Sequence, residues 1–280
     1  MRQAVDRFVK RHHLLKKNAV IVVGVSGGPD SMALLDYLQS VRTSWNLSLI
    51  TASVDHGTRG AESAKDLLYV EKYCREHALV FEGTRIDVKA IQREHDLGFQ
   101  AAARSGRYLF FAEMMRKHDA DMLALAHHGD DQIETMLMRQ VRGSFGLSRA
   151  GIPVRRPFAN GEIIRPLLAV DKQQIEAYCR LNGIEPRRDP SNESDAYTRN
   201  RFRRTVLPFL KRENPNVHHR FQSESEILSD DQLFLEELAK DCLKDVESSK
   251  EKDYFAGSVT ALSHVPIALQ RRVIQLILNY

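Results

Sequence analysis

Residues 20–31 read Val-Ile-Val-Val-Gly-Val-Ser-Gly-Gly-Pro-Asp-Ser, and this stretch decides the fold of the chain. Its first half has the apolar, β-branched composition of a buried strand. A helical apolar pattern begins directly after it, at Met32, Leu34, Leu35 and Leu38. A strand that turns on glycines into a helix N-terminus presents backbone N–H groups and the positive end of the helix dipole. The stretch therefore predicts an anion site.

The side chains of this corner support that prediction. Gly27 and Gly28 let the backbone approach a phosphate without a Cβ in the way, and Ser26 and Ser31 add hydroxyl donors. Asp30 would repel an anion, so we expect it to bind a cation, Mg²⁺ above all. Neither a Walker A loop nor a dinucleotide fingerprint is present. An ordinary strand–turn–helix corner is the alternative, because Ser, Gly, Pro and Asp are common turn residues.

Composition bounds the class of protein. A chain of 280 residues suggests one large or two modest domains, and 28% charged residues are typical of a water-soluble globular protein. No apolar run approaches the ~20 residues of a membrane span, and the basic N-terminus lacks the apolar core of a signal peptide. The three cysteines form no CxxC pair, which argues against a disulfide framework or a cysteine metal site. We therefore expect a cytoplasmic protein.

Charge is unevenly distributed along the chain. Residues 139–220 carry 17 basic and 8 acidic side chains, a net charge of +9, whereas residues 221–280 carry 6 and 11, a net charge of −5. A concentrated basic region is the electrostatic footprint of a polyanion partner. A solvated surface with arginine-rich helices explains the charge equally well.

Strand and helix patterns alternate four times in the first half of the chain. This alternation predicts an α/β fold, a parallel sheet with helices on both faces. Right-handed crossovers place all strand C-termini at one edge, so the loops at 26–31, 55–59 and 127–131 should converge there. The predicted strands are 19–25, 47–54, 79–86 and 122–126, and the predicted helices are 2–17, 31–41, 63–77, 98–118, 171–182 and 217–248.

The segment 127–134 contains two histidines and three acids. Asp131 and Glu134 are three residues apart, so on a helix they share a face, where they could bind Mg²⁺, hold a substrate amine or accept a proton. We expect either Asp130 or Asp131 to be a helix N-cap. His127 and His128 are expected to be hydrogen-bonded at a strand end rather than to bind a transition metal.

Arginines follow the same ligand edge. Arg104 and Arg107 are helical i,i+3 neighbours that could both face a phosphate, although exposed helix arginines are the alternative. Gly106 between them is costly in a helix and should have a packing or ligand reason. Arg203 and Arg204 are candidates for a nucleic-acid groove, and Arg188 could reach nucleotide phosphates.

These motifs together carry a family resemblance. Residues 26–31 resemble the SGGxDS loop of the N-type ATP pyrophosphatase, or PP-loop, family. The chain further resembles the tRNA(Ile)-lysidine synthases within it, in order along residues 20–210. The segments that carry this likeness are 54–59, 100–104, 126–135, 142–143, 165–168, 189–192 and 199–204. The resemblance implies an adenine nucleotide α-hydrolase-like catalytic domain over 1–210 and a mostly helical, tRNA-contacting domain over 211–280.

The resemblance also implies a reaction and its residues. The wobble cytidine of a CAU anticodon in tRNA(Ile) would attack ATP, and free L-lysine would then displace AMP to form lysidine. Asp30 and Asp131 would bind Mg²⁺. The implied catalytic residues are Asp30, Arg104, Asp131 and Glu134. The implied ATP-binding residues are Ser26, Gly27, Gly28, Pro29, Asp30, Ser31 and His56.

Two other functions are considered. A tRNA thiolase of the same fold would rely on cysteines, and Cys74, Cys179 and Cys242 are predicted in helices away from the ligand edge. A non-catalytic RNA-binding module is disfavoured by the complete loop and acidic cluster. A homodimer is left open. Residues 274–280 end in an uncapped helical pattern, which leaves open both a natural end and a missing C-terminal domain.

Overall fold

The computed structural model of the protein describes residues 1–57, 61–187, 198–251 and 254–278. The chain divides into two units, which are treated separately: Met1–Met138 with Ile152–Gln222, and Arg139–Gly151 with Ser223–Tyr280. The strands are β1 Val20–Gly24, β2 Ser48–Asp55, β3 Val80–Arg85, β4 Met122–Ala124, β5 Arg155–Phe158, β6 Gly161–Ile164, β7 Glu247–Glu251 and β8 Tyr254–Gly257. The α-helices are α1 Arg2–Arg11, α2 Pro29–Trp45, α3 Ala61–Glu76, α4 Val88–His95, α5 Phe99–Lys117, α6 Gly129–Val141, α7 Lys172–Leu181, α8 Thr198–Arg201, α9 Leu207–Glu213, α10 Val217–Val246, α11 Val259–His264 and α12 Ile267–Leu278.

The first unit is built on a six-stranded sheet in the order β3-β2-β1-β4-β6-β5. The first five of these strands are parallel, with Val22 of β1 in register with Ile50 of β2 and Leu123 of β4. The predicted parallel α/β sheet is therefore confirmed. The antiparallel β5–β6 hairpin is not among the predicted strands, and its tight turn places Ala159 at a φ of 50°.

Both faces of this sheet are covered. Ile21 and Val23 of β1 belong to a core cluster with residues of α2 and α7, while Val22 belongs to another with Phe111 and Met115 of α5. Successive side chains of a strand point to opposite faces, so β1 is buried on both sides. This explains its unbroken apolar sequence.

The predicted helix over 2–17 was too long, since α1 ends at Arg11. His13 and Asn18 adopt positive φ values of 49° and 63°, a left-handed conformation that ends a right-handed helix. Gly106 has the packing reason that was expected: a Cβ there would lie 2.7 Å from Cδ1 of Ile91 and 2.9 Å from Cδ1 of Ile86.

The second unit contains a small apolar cluster in which Ala239, Leu243 and Val273 are buried. Its β7–β8 hairpin is antiparallel and was not predicted, because the polar sequence of β7 shows no apolar alternation. Buried Arg272 donates to Gln232 at 2.7 Å. Among the described residues of the whole chain, no helix has both the length and the apolar character that crossing a membrane requires.

Candidate active site

The corner after β1 is held by its two serines. The Ser26 N–H donates to Oγ of Ser31 at 3.1 Å, and the Ser31 hydroxyl donates to the Gly28 carbonyl at 3.0 Å. Gly27 has a φ of 81°, which favours glycine. Gly28 is the N-cap of α2 and Pro29 its first residue. The helix N-terminus thus receives no capping side chain, and the N–H groups of its first turn remain available to an anion.

Residues distant in sequence contact this corner and stabilise it. The Arg187 N–H donates to the Gly27 carbonyl at 3.0 Å, while the Arg187 guanidinium pairs with Asp66. Cys179 lies 3.6 Å from the Pro29 carbonyl, so the expectation that all cysteines lie away from the ligand edge was wrong. Burial, with the nearby Asp30 charge, raises the pKa of Cys179 to about 11, which keeps its thiol protonated and unreactive.

Two of the three predicted loops meet at His128. Nε2 of this buried imidazole lies 3.9 Å from Oδ1 of Asp30 and 3.6 Å from Oδ2 of Asp131. Asp30 also accepts from Nζ of Lys172 at 2.7 Å. Lys172 lies in the predicted helix over 171–182 but was not a predicted site residue. A cation therefore neutralises Asp30 in this structure.

Asp131 and Glu134 share a helix face, and two arginines hold both carboxylates. Arg199 donates to Glu134 at 2.7 Å and to Asp131 at 2.9 Å; Arg203 donates to Glu134 at 2.6 Å and to Asp131 at 3.1 Å. Glu134 is 1% exposed, whereas the two arginine side chains are about 40% exposed. We call these four residues the acid–arginine cluster. Arg203 was expected in a nucleic-acid groove, but here it binds the carboxylates.

Electrostatics in this cluster favour charged carboxylates. Burial raises the pKa of Asp131. The neighbouring groups His128, Arg199, His127 and Arg203 lower this pKa by more than burial raises it, so it lies well below the usual range. Burial lowers the pKa of Arg199, but Asp131 and Glu134 outweigh it and raise that pKa overall. His127 differs, because burial, aided by three arginines, lowers its pKa to about 3. It is a neutral imidazole at neutral pH.

Two expectations about the start of α6 were wrong. The helix begins at Gly129, so Asp130 and Asp131 lie inside its first turn and neither is the N-cap. Asp131 instead accepts the His128 N–H at 3.0 Å, as the third residue of a capping box does. Nδ1 of His127 and of His128 has no hydrogen-bond partner among the described residues, so the predicted hydrogen-bonded histidines are not seen.

Asp130 belongs to a separate ion-pair group. Nζ of Lys211 donates to Asp130 at 2.8 Å and to Asp171 at 2.9 Å. Asp171 is also the N-cap of α7, in a complete capping box with Gln174. These residues border a cavity of about 450 Å³. It is lined by Asp130, Asp171, Lys172, Gln173, Leu207, Pro208, Lys211, Arg212 and Pro215.

Other predicted site residues lie along the same edge. Asp55, at the end of β2, accepts the Gly57 N–H at 2.7 Å and fixes the loop that carries His56. Burial, followed by the charge of Arg107, lowers the pKa of His56. Nε2 and Nδ1 of His56 make no hydrogen bond or ion pair with residues 26–31 in the described chain. Arg104 donates to the Tyr108 hydroxyl at 3.2 Å. The motif residues Thr58, Arg59, Arg188 and 189–192 lie outside the described residues.

Comparison with known proteins gives this geometry a family context. A family model described as the PP-loop domain (ATP_bind_3) matches residues 1–210. The tRNA(Ile)-lysidine synthase of Geobacillus kaustophilus is 53% identical over 274 residues, and that of Bacillus subtilis is 51% identical over 279 residues. These alignments cover 98% and 99% of the chain but 59% of each relative, so the chain spans about three fifths of their length.

A solved structure supports the fold alone. The U34-tRNA thiolase NcsA of Methanococcus maripaludis, solved with its [4Fe-4S] cluster, superimposes with a TM-score of 0.69 at 19% identity. The match covers 82% of this chain and 77% of the thiolase.

Proposed function

Because the chain belongs to the ATP-binding PP-loop family, we propose that it ligates free L-lysine to C2 of the wobble cytidine in tRNA(Ile) with a CAU anticodon, forming lysidine. The observation that carries this proposal is the meeting of Asp30 and Asp131 at His128. It supports the proposal because the corner proposed to bind the nucleotide then lies next to a pair of carboxylates that could hold an amine. The 53% identical relative, a tRNA(Ile)-lysidine synthase, supports the choice of substrates.

The corner after β1 is proposed to hold ATP. Backbone N–H groups at the start of α2, with the Ser26 and Ser31 hydroxyls, would bind its phosphates. Asp30 and Asp131 would hold Mg²⁺, because both carboxylates lie within 4 Å of the same imidazole nitrogen and Mg²⁺ takes one or two carboxylates beside substrate phosphates. The ion supplies electrophilic stabilisation of phosphate charge when bound. Lys172 would leave Asp30 for the phosphates.

Activation of the base transfers AMP. O2 of the cytidine would attack the α-phosphorus of ATP, forming a P–O bond as the bond to pyrophosphate breaks. Arg104 is proposed to stabilise the negative charge that develops there, since a cation beside developing negative charge lowers the energy of the transition state. Its only hydrogen bond in the described chain is to the Tyr108 hydroxyl.

Lysine would then attack C2, and AMP would leave with the oxygen. The acid–arginine cluster is proposed to hold the lysine ammonium groups, with Asp131 and Glu134 as ligands. The low pKa of Asp131 makes it a weak base, so it suits anchoring an ammonium group better than accepting a proton. Glu134 is left as the proton acceptor for the attacking amine, because the low pKa of His127 makes that imidazole a weak base as well.

The basic segment 139–220, with its net charge of +9, is proposed to hold tRNA phosphates in the cytoplasm, together with the helical domain over 211–280. Affinity of this kind falls steeply as salt rises. The thiolase alternative is not favoured, because Cys179 is buried and protonated beneath the corner.

The test is to incubate the protein with ATP, labelled lysine and a tRNA carrying CAU. We expect lysine incorporation that disappears in Asp30→Ala. The control is Asp87→Ala, which removes an exposed N-cap carboxylate of α4. Sulfur transfer, or tRNA binding without incorporation, would overturn the proposal.

A further inference from the structure

A second charged cluster lies beside the acid–arginine cluster and contains no acid. The guanidinium carbon of Arg104 lies 4.7 Å from the centre of the Tyr108 ring, and that of Arg156 lies 5.6 Å from it. Arg165 interacts electrostatically with Tyr108, Arg156 and Arg104. We call Arg104, Tyr108, Arg156 and Arg165 the arginine cluster.

Arg165 is the member that most needs a counterion. It is 3% exposed, donates to the Pro153 carbonyl, and leaves its Nε without a hydrogen-bond partner. Burial is the main cause that lowers its pKa, to about 10, so it stays charged at neutral pH. A buried charge is costly unless it is paired, and in the described chain no carboxylate lies within 4 Å of a charged nitrogen of Arg104, Arg156 or Arg165.

Arg155, the residue before Arg156 on β5, is an arginine whose charge is neutralised by a carboxylate. Arg155 donates to both oxygens of Glu162, at 2.7 and 2.6 Å. Arg156 follows it on β5 and points to the opposite face of the strand, where it lies over Tyr108 and Phe158. One face of β5 is therefore neutralised within the chain, and the other presents positive charge to a ligand.

The end of the cluster formed by Arg165 is set apart from the corner proposed to hold the ATP phosphates. Arg165 directly follows β6, and β4 lies between β6 and β1 in the sheet. At about 4.8 Å per strand, the two strand ends are about 10 Å apart. A phosphate bound at Arg156 and Arg165 would therefore lie about two strands away from the corner proposed to hold the triphosphate.

We propose that the arginine cluster binds a backbone phosphate of the RNA strand that carries the reacting base. This inference rests on the proposed function for the identity of the strand. A phosphodiester supplies the missing anion, and arginine binds phosphate oxygens in a bidentate manner. Holding the phosphate beside Arg104 would fix the nucleotide while its base turns toward the α-phosphate.

The experiment compares Arg156→Ala with Arg155→Ala, which remove the same charge from adjacent positions of one strand. The probe is a synthetic anticodon stem-loop with CAU, titrated against each variant over a range of salt concentrations. We expect Arg156→Ala to weaken binding about tenfold, the low end for a charge-assisted hydrogen bond. It should also reduce the slope of log K against log salt by about 0.7–0.9. Arg155→Ala should leave that slope unchanged.

Each remaining outcome overturns the inference. An equal loss in both variants would mean that only the long-range field matters. A loss of ATP affinity in Arg156→Ala, with stem-loop binding unchanged, would assign the cluster to the nucleotide. Unfolding curves exclude misfolding as the cause. Lysine incorporation by the wild type tests the proposed function separately. If the wild type incorporates lysine but the salt slopes of the two variants coincide, the inference fails and the proposed function stands.

Discussion

The carboxylates and the arginines at the C-terminal edge of the sheet are neutralised in opposite ways. Asp30 is paired with Lys172, and Asp131 and Glu134 are paired with Arg199 and Arg203. The arginine cluster around Tyr108 has no carboxylate within ion-pair distance in the described residues. The acids are thus held by cations that a metal ion or an ammonium group could replace. The charge of the arginines is not neutralised by any carboxylate of the described residues, and the proposed RNA phosphate would neutralise it.

The largest effect is expected from removing the negative charge of Asp30. We predict that Asp30→Asn lowers lysine incorporation at least about 100-fold, because the amide cannot replace the carboxylate charge toward a cation. Asp87→Asn makes the same chemical change at an exposed N-cap, where Asn also caps, and should be neutral. If Lys172→Met proves as damaging as Asp30→Asn, then Lys172 is required itself and does not merely neutralise Asp30.

Neutralising Glu134 should damage both stability and lysine binding. Glu134→Gln leaves Arg199 and Arg203 short of one negative charge in a buried position. Breaking a fully buried pair costs about 3–5 kcal/mol, and we expect about 2 kcal/mol here because the arginine heads are partly exposed. Urea unfolding measures this, and the KM for lysine should rise.

The matched control is Glu162→Gln, whose partner Arg155 is 44% exposed. That pair should contribute less than about 1 kcal/mol. Equal destabilisation by the two substitutions would show that the burial of Glu134 does not increase the contribution of its ion pairs to the free energy of unfolding.

His127 provides the next prediction, since it lies between the two sides. Its pKa is lowered to about 3, so below pH ~6.5 the unfolded state binds a proton that the folded state does not. Stability should therefore fall as pH falls, approaching about 1.4 kcal/mol per pH unit near pH 5. His127→Gln should flatten this dependence in urea unfolding between pH 7 and 5. An unchanged slope in His127→Gln would contradict the prediction.

Whether a contact of the site could be predicted from the sequence depends on how far apart its two residues lie along the chain. The parallel sheet and the shared face of Asp131 and Glu134 follow from local sequence patterns, and both were predicted. Lys172 reaches Asp30 across 142 positions, and Arg203 reaches Glu134 across 69. No local pattern encodes such partners, because they depend on how α7 and the segment 198–206 pack against the sheet edge. The β5–β6 hairpin was missed because Pro157 and paired arginines are atypical of a strand.

The smallest effect is expected in a test of the arginine cluster that uses no RNA. Inorganic phosphate should raise the unfolding midpoint of the wild type above that in chloride at equal ionic strength, because an anion that binds only the folded state stabilises it. The corner at 26–31 is also proposed to bind phosphate, so the informative quantity is the difference between variants. Arg156→Ala should lose about 1 kcal/mol or less of the phosphate-induced stabilisation, the amount expected from one weak site. Arg155→Ala should keep it all, because its charge is already neutralised by Glu162. Equal phosphate responses in the two variants would mean that the arginines around Tyr108 tolerate their charge without an anion, and the contrast between the two sides of the edge would then be structural rather than functional.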